Sequence, residues 1–108
     1  MDKIIYLYNL TLSNYFENFD EPIFETILIN YLSKNLNIIK NKNLAYYFIT
    51  HLHLELDCLF YRYPKNDIKV AVKKIEEDYN IKSPRLISAV KMLSRKVYDT
   101  YLKISKDS

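Results

Sequence analysis

The chain of 108 residues contains no glycine, and this absence restricts its fold more than any other sequence feature. Glycine is the usual residue where the backbone takes positive φ or closely approaches a ligand. Standard phosphate-binding loops, dinucleotide-binding fingerprints and nucleophile elbows are therefore excluded. Asparagine occurs ten times and tolerates the left-handed conformation best after glycine, so we expect it to end helices instead.

The rest of the sequence predicts an all-α fold, with about five helices in a single compact domain over residues 1–108. Hydrophobic residues make up 49% of the chain, which is enough for one core. Apolar residues recur at helical spacing in five stretches, namely 2–19, 20–36, 44–63, 66–80 and 83–108. A short N-terminal strand at 4–12 and a strand at 50–57 remain alternatives, because apolar residues also alternate there.

Capping residues mark several of the helix boundaries. Asp20 is the predicted N-cap of the second helix, in which Ile27 and Tyr31 follow Ile23 or Phe24 on the expected buried face. The polar run 40–43 predicts a loop.

The fourth helix is bounded by polar residues at both ends. Either Asn66 or Asp67 is its predicted N-cap, and Asn80 is expected to end it.

Charge is distributed unevenly although the net charge is only +3. Residues 1–30 hold one basic and five acidic side chains, whereas residues 82–106 hold seven basic and one acidic. This asymmetry predicts that a polyanion binds the C-terminal end of the chain.

Residues 72–93 have the pattern of a helix-turn-helix. Such a motif needs an apolar inner face on each helix and a sharp turn followed by an apolar residue. The residues at these positions are Ile75 and Tyr79, then Asn80 and Ile81 at the turn, then Leu86, Ala89 and Val90. Ser83 and Pro84 suit the N-cap and first position of the second helix.

In these residues the segment resembles the helix-turn-helix family of DNA-binding proteins, and within it the C-terminal effector domain of the sporulation response regulator of low-GC bacteria. The shared positions are Ile75, Tyr79, Asn80, Ser83, Arg85, Leu86, Ala89 and Val90. The chain departs from the family at Glu76, where a small residue is usual, and the acidic run 76–78 would repel phosphates. A plain antiparallel helical hairpin over 67–105 is the simpler interpretation.

The early exposed positions of the second helix are the predicted DNA-binding residues. They are Lys82, Ser83, Arg85, Ser88, Lys91 and Arg95. Arginine can form two hydrogen bonds to one guanine, and lysine contacts phosphates. Serine can hydrogen-bond to more than one type of base. We therefore expect double-stranded DNA as the partner, and a transcriptional regulator or an accessory DNA-processing protein of a plasmid or phage.

A helical protein–protein interaction module, such as an inhibitor, immunity or adaptor protein, is the alternative function. It would use the eleven tyrosines or the acidic N-terminal surface. The acidic residues of that surface are Glu17, Asp20, Glu21 and Glu25. A homodimer also stays open, because tyrosine is enriched at interfaces and helix-turn-helix proteins often dimerise.

The sequence predicts no catalytic machinery, no cofactor and no metal site. His51, Glu55 and Cys58 share one helical face whereas His53 and Asp57 share another, so the five candidate ligands are divided, and zinc needs at least three together. One cysteine cannot form an internal disulfide. No secretory or membrane segment is recognisable, so we expect a cytoplasmic protein without a membrane partner.

Overall fold

A computed structural model describes residues 2–17, 20–34, 42–62, 64–80 and 84–107. These ranges contain five α-helices and no strand, which confirms the all-α prediction. The helices are α1 Asp2–Leu12, α2 Glu21–Lys34, α3 Lys42–Tyr61, α4 Lys65–Tyr79 and α5 Pro84–Asp107. The strand alternatives at 4–12 and 50–57 are wrong, since both segments lie inside helices. No helix within the described ranges is long and apolar enough to cross a membrane.

The first helix is shorter than predicted. It ends at Leu12, and residues 13–15 form turns whose amides bond back to the end of the helix. The Phe16 amide also donates to the Leu12 carbonyl at 3.0 Å, which directs the Phe16 ring into the core. Asp20 caps α2 as expected, because its Oδ1 accepts from the Ile23 amide at 3.3 Å.

Two helix starts also differ from the prediction. The fourth helix begins at Lys65, with Pro64 as its N-cap and no side-chain cap hydrogen bond, instead of being capped by Asn66 or Asp67. Asp67 lies in the first turn, where its negative charge interacts favourably with the positive end of the helix dipole. The third helix begins at Lys42, so the second half of the predicted loop 40–43 is helical, whereas residues 40 and 41 lie outside the described ranges.

Left-handed backbone follows two helices in this glycine-free chain. Asn80 ends α4 with φ 53° and ψ 44°, and its amide donates to the carbonyls of Glu76 and Glu77. This confirms Asn80 as the predicted helix end. Arg62 follows α3 with φ 57°, a conformation that more often falls to glycine or asparagine.

The third helix lies at the centre of the fold. It packs against α1, α4 and α5, while α2 packs against α1 and α5. Five α3 side chains are fully buried, namely Tyr47, Phe48, His51, Leu52 and Leu56. The remaining buried core comes mainly from α1, α2 and α5, so α4 covers one side of α3 and adds Ile68 as its buried apolar residue.

Candidate nucleic-acid interface

The fifth helix has two faces that differ sharply in chemistry. Its buried face consists of Leu86, Val90, Leu93 and Val97, which join the common core. This face packs against α2 and α3 and holds the helix in place. The other face is exposed and carries polar and basic side chains.

Three of the predicted DNA-binding residues form a stripe on this exposed face. Ser88, Lys91 and Arg95 are all exposed, and their spacing of three and four residues places them along one side of the helix. Arg85 begins the same spacing in the first turn of α5, but its side chain lies outside the described part of the structure. Lys82 and Ser83 precede the helix and lie outside the described residues altogether.

The basic side chains of the stripe have few internal partners. Arg95 Nε lies 3.5 Å from Asp99 Oδ1, and the guanidinium lies 6.0 Å from the Tyr98 ring centroid. Both members of this ion pair are more than half exposed, so the pair contributes little and leaves Arg95 available. Lys91 has no acidic partner among the residues that the structure describes.

A lysine that the sequence analysis did not identify extends the stripe across a second helix. Lys69 of α4 lines the same cavity as Lys91 and Arg95, at the junction of α3, α4 and α5. We call Ser88, Lys91, Arg95 and Lys69 the basic cleft surface. No local signal marks Lys69, because its nearness to α5 depends on how both helices pack on α3.

The acidic run 76–78 of α4 is only partly exposed to solvent. Glu76 is half-buried, and its Oε1 accepts a hydrogen bond from the Tyr47 hydroxyl at 3.5 Å. Burial, the Glu76 charge and this hydrogen bond raise the pKa of Tyr47 to about 12. Glu77 and Asp78 are exposed. The residue that departs from the helix-turn-helix pattern therefore serves as a contact between α4 and α3.

The two histidines of α3 lie on different sides of the helix, as their spacing predicts. His53 and Asp57 face Tyr15, whose hydroxyl donates to Asp57 Oδ1 at 2.6 Å and lies 3.2 Å from His53 Nδ1. His53 Nε2 lies 3.4 Å from Asp57 Oδ2. Through this polar cluster, the segment that follows α1 is hydrogen-bonded to helix α3.

The other half of the histidine cluster faces the cavity. His51, Glu55 and Cys58 all line it, and His51 Nε2 lies 3.3 Å from Glu55 Oε1. Within the described ranges, no group of three or more histidine, cysteine or acidic side chains could hold a metal ion.

The acidic N-terminal residues are partly engaged in internal hydrogen bonds. Asp20 caps α2, and Glu25 accepts from the Asn9 side chain at 2.9 Å. Glu17 is exposed, while the Glu21 side chain lies outside what the structure describes. Two of the four acidic residues thus have a structural role.

Comparison of the chain with protein-family models, with curated proteins and with solved structures finds no match. Function is therefore inferred from the residues and their geometry.

Proposed function

We propose that the protein binds double-stranded DNA through the basic cleft surface, as a transcriptional regulator or an accessory DNA-processing protein of a plasmid or phage. The observation that carries this proposal is the exposed stripe of Ser88, Lys91 and Arg95 on α5, joined by Lys69 from α4. Cations from two helices on one side of the molecule match the closely spaced phosphates of a duplex.

The fifth helix suits the DNA major groove in size and chemistry. A helix with its side chains is about 10–12 Å across, and the major groove is about 12 Å wide. In this proposal Ser88 would hydrogen-bond base edges, while Lys91, Arg95 and Lys69 would contact the phosphates that flank the groove. Arg85 and Lys82 would extend this contact toward the start of the helix.

We expect Lys91→Ala and Arg85→Ala to impair DNA binding while the fold stays intact. Each phosphate contact that is lost should weaken binding to all duplexes alike and flatten the dependence of log K on log salt by about one unit. Loss of an arginine paired with a base should cost about 1–3 kcal/mol and relax specificity. The measurement is fluorescence anisotropy with duplexes of mixed sequence at two salt concentrations.

Two control variants complete this experiment. Lys3→Ala removes one positive charge from α1, where the ammonium donates to the Tyr46 hydroxyl and does not line the cavity, and this variant should bind DNA like the wild type. Leu86→Ala truncates a buried residue and should instead lower the free energy of unfolding by about 2–5 kcal/mol. Wild-type affinity in Arg85→Ala, Lys91→Ala and Arg95→Ala would rule out α5 as the DNA-contacting helix. Absence of binding at low salt would refute DNA binding itself.

A protein–protein interaction function is the second candidate, and an open apolar groove between α2 and α5 favours it. Ile27, Tyr31, Met92 and Leu93 line this groove, which measures about 410 Å³. Met92 is 75% exposed and adds a large apolar side chain to the surface of this groove. A failed DNA-binding experiment would favour this function, with a partner protein or a second copy of the chain on the groove.

A further inference from the structure

A largely apolar cavity of about 340 Å³ lies where α3, α4 and α5 meet. Leu59, Ile68, Val72 and Ile87 provide apolar walls from all three helices. The volume corresponds to on the order of ten water molecules. It falls at the lower end of the range typical of small-molecule sites, about 300–1,000 Å³.

One wall contains a buried polar atom without a partner. The His51 side chain is only 1% exposed and lines the cavity. Its Nε2 lies 3.3 Å from Glu55 Oε1, whereas its Nδ1 is buried and makes no hydrogen bond to any described residue. Buried polar atoms are nearly always hydrogen-bonded, because leaving one unpaired costs free energy. This nitrogen is itself fully buried, so His51 forms part of the closed wall of the cavity and offers no open position to a ligand.

The charged side chains around the cavity are predominantly basic. Lys69, Lys91 and Arg95 all line it and are exposed, and Glu55, already paired with His51, is the acidic residue that lines it. An anionic group would thus gain favourable electrostatic interactions where the cavity meets solvent.

From the apolar walls and the basic rim, we propose that the cavity binds a small amphipathic anion with a carboxylate head and an unbranched apolar tail. The tail would pack against Leu59, Ile68 and Val72, and the head would lie against the three cations. The proposal does not depend on DNA binding, since the test uses no DNA.

Isothermal titration of the intact protein with decanoate and octanoate tests the proposal. We expect saturable binding at one site. Because each buried methylene corresponds to about a fourfold change in affinity, decanoate should bind about fifteenfold more tightly than octanoate. Acetate, which lacks the tail, should not bind measurably. No saturable binding, or equal affinity for octanoate and decanoate, would overturn the proposal.

Variants locate the bound anion on the protein. Lys91→Ala and Arg95→Ala should each weaken decanoate binding, by up to about fivefold. The matched control is Lys106→Ala, which removes the same charge from the far end of α5 and should leave the affinity unchanged. An equal loss of decanoate affinity in Lys91→Ala and Lys106→Ala would show a general effect of charge and would contradict the proposed binding site.

A cavity-filling substitution supplies an independent readout. Val72→Trp should occupy the cavity and abolish decanoate binding, provided that its far-UV circular dichroism matches the wild type. Ile87→Phe serves the same purpose if the tryptophan variant does not fold. Undiminished decanoate binding by a folded filling variant would contradict the proposed site.

Discussion

Replacing Phe16 by alanine is expected to lower the free energy of unfolding by about 3–5 kcal/mol. The ring is 2% exposed and lies between three helices. It stacks on Tyr101 of α5 with a centroid distance of 4.4 Å, and contacts Phe24 of α2 at 5.2 Å and Phe60 of α3 at 5.4 Å. Truncation leaves a cavity that three separate helices cannot all move to fill, so the cost should fall in the upper range for core substitutions.

Urea unfolding followed by far-UV circular dichroism measures this effect. Tyr6→Ala is the matched control, because it truncates an aromatic residue of α1 that is 65% exposed. The control should change stability by less than about 0.5 kcal/mol. A loss below about 1 kcal/mol for Phe16→Ala would contradict the packing described for this ring.

Stability is expected to fall above about pH 10, because two buried tyrosines, Tyr8 and Tyr47, and the half-buried Tyr31 resist ionisation in the folded protein. Burial raises the pKa of Tyr8 and Tyr31 well above the usual tyrosine range, and the charge of Glu25 adds to the effect at Tyr8. Burial, aided by Glu76, raises that of Tyr47 to about 12.

The direction of this pH effect follows from the raised pKa values. Folding favours the neutral phenol, so the stabilisation is complete below the unfolded pKa of about 10 and is lost as pH rises toward the folded values. Each tyrosine contributes about 1.4 kcal/mol per pH unit in this window. Tyr8 and Tyr47, which are fully buried, should together remove about 3 kcal/mol by about pH 11, and the half-buried Tyr31 should add less because solvent screens its charge.

Ultraviolet absorbance of tyrosinate, recorded together with circular dichroism, tests the effect. Exposed tyrosines should ionise near pH 10, and the buried ones only as the helices unfold. Tyr47→Phe should reduce the pH dependence of stability, whereas Tyr6→Phe should leave it unchanged. Ionisation of all tyrosines in one step while the helical signal persists would contradict the burial of Tyr8 and Tyr47.

The sequence predicts the fifth helix well and the second poorly, for a physical reason. In α5, apolar residues alternate with charged ones at helical spacing, so one face is clearly the buried one. In α2, apolar residues occur all around the helix. Of the two alternatives for the start of the expected face, Phe24 is buried and Ile23 is exposed. Ile27 and Tyr31 are only half-buried, and Leu28 and Leu32 fill the core instead. Packing against α1 and α5 selects that face, and this information is not local.

In the candidate site, too, local periodicity predicts some features, whereas the packing of the helices determines others. Periodicity alone indicates that Ser88, Lys91 and Arg95 share the exposed side of α5, and that His51, Glu55 and Cys58 share one side of α3. Periodicity cannot indicate that Lys69 lies near Lys91 and Arg95, or that the side of α3 with His51 borders a cavity. Both features arise from the way α4 and α5 are arranged on α3.

The central position of α3 has a consequence during synthesis on the ribosome. A chain emerges from its N-terminus at about 5–20 residues per second, so α3 appears well before α5, its main packing partner. Until α5 is complete, Phe60 lacks its ring contacts with Tyr98 and Tyr101, and the nascent chain presents apolar surface to chaperones and to other nascent chains. Final burial of the core must therefore wait for the last helix to be translated.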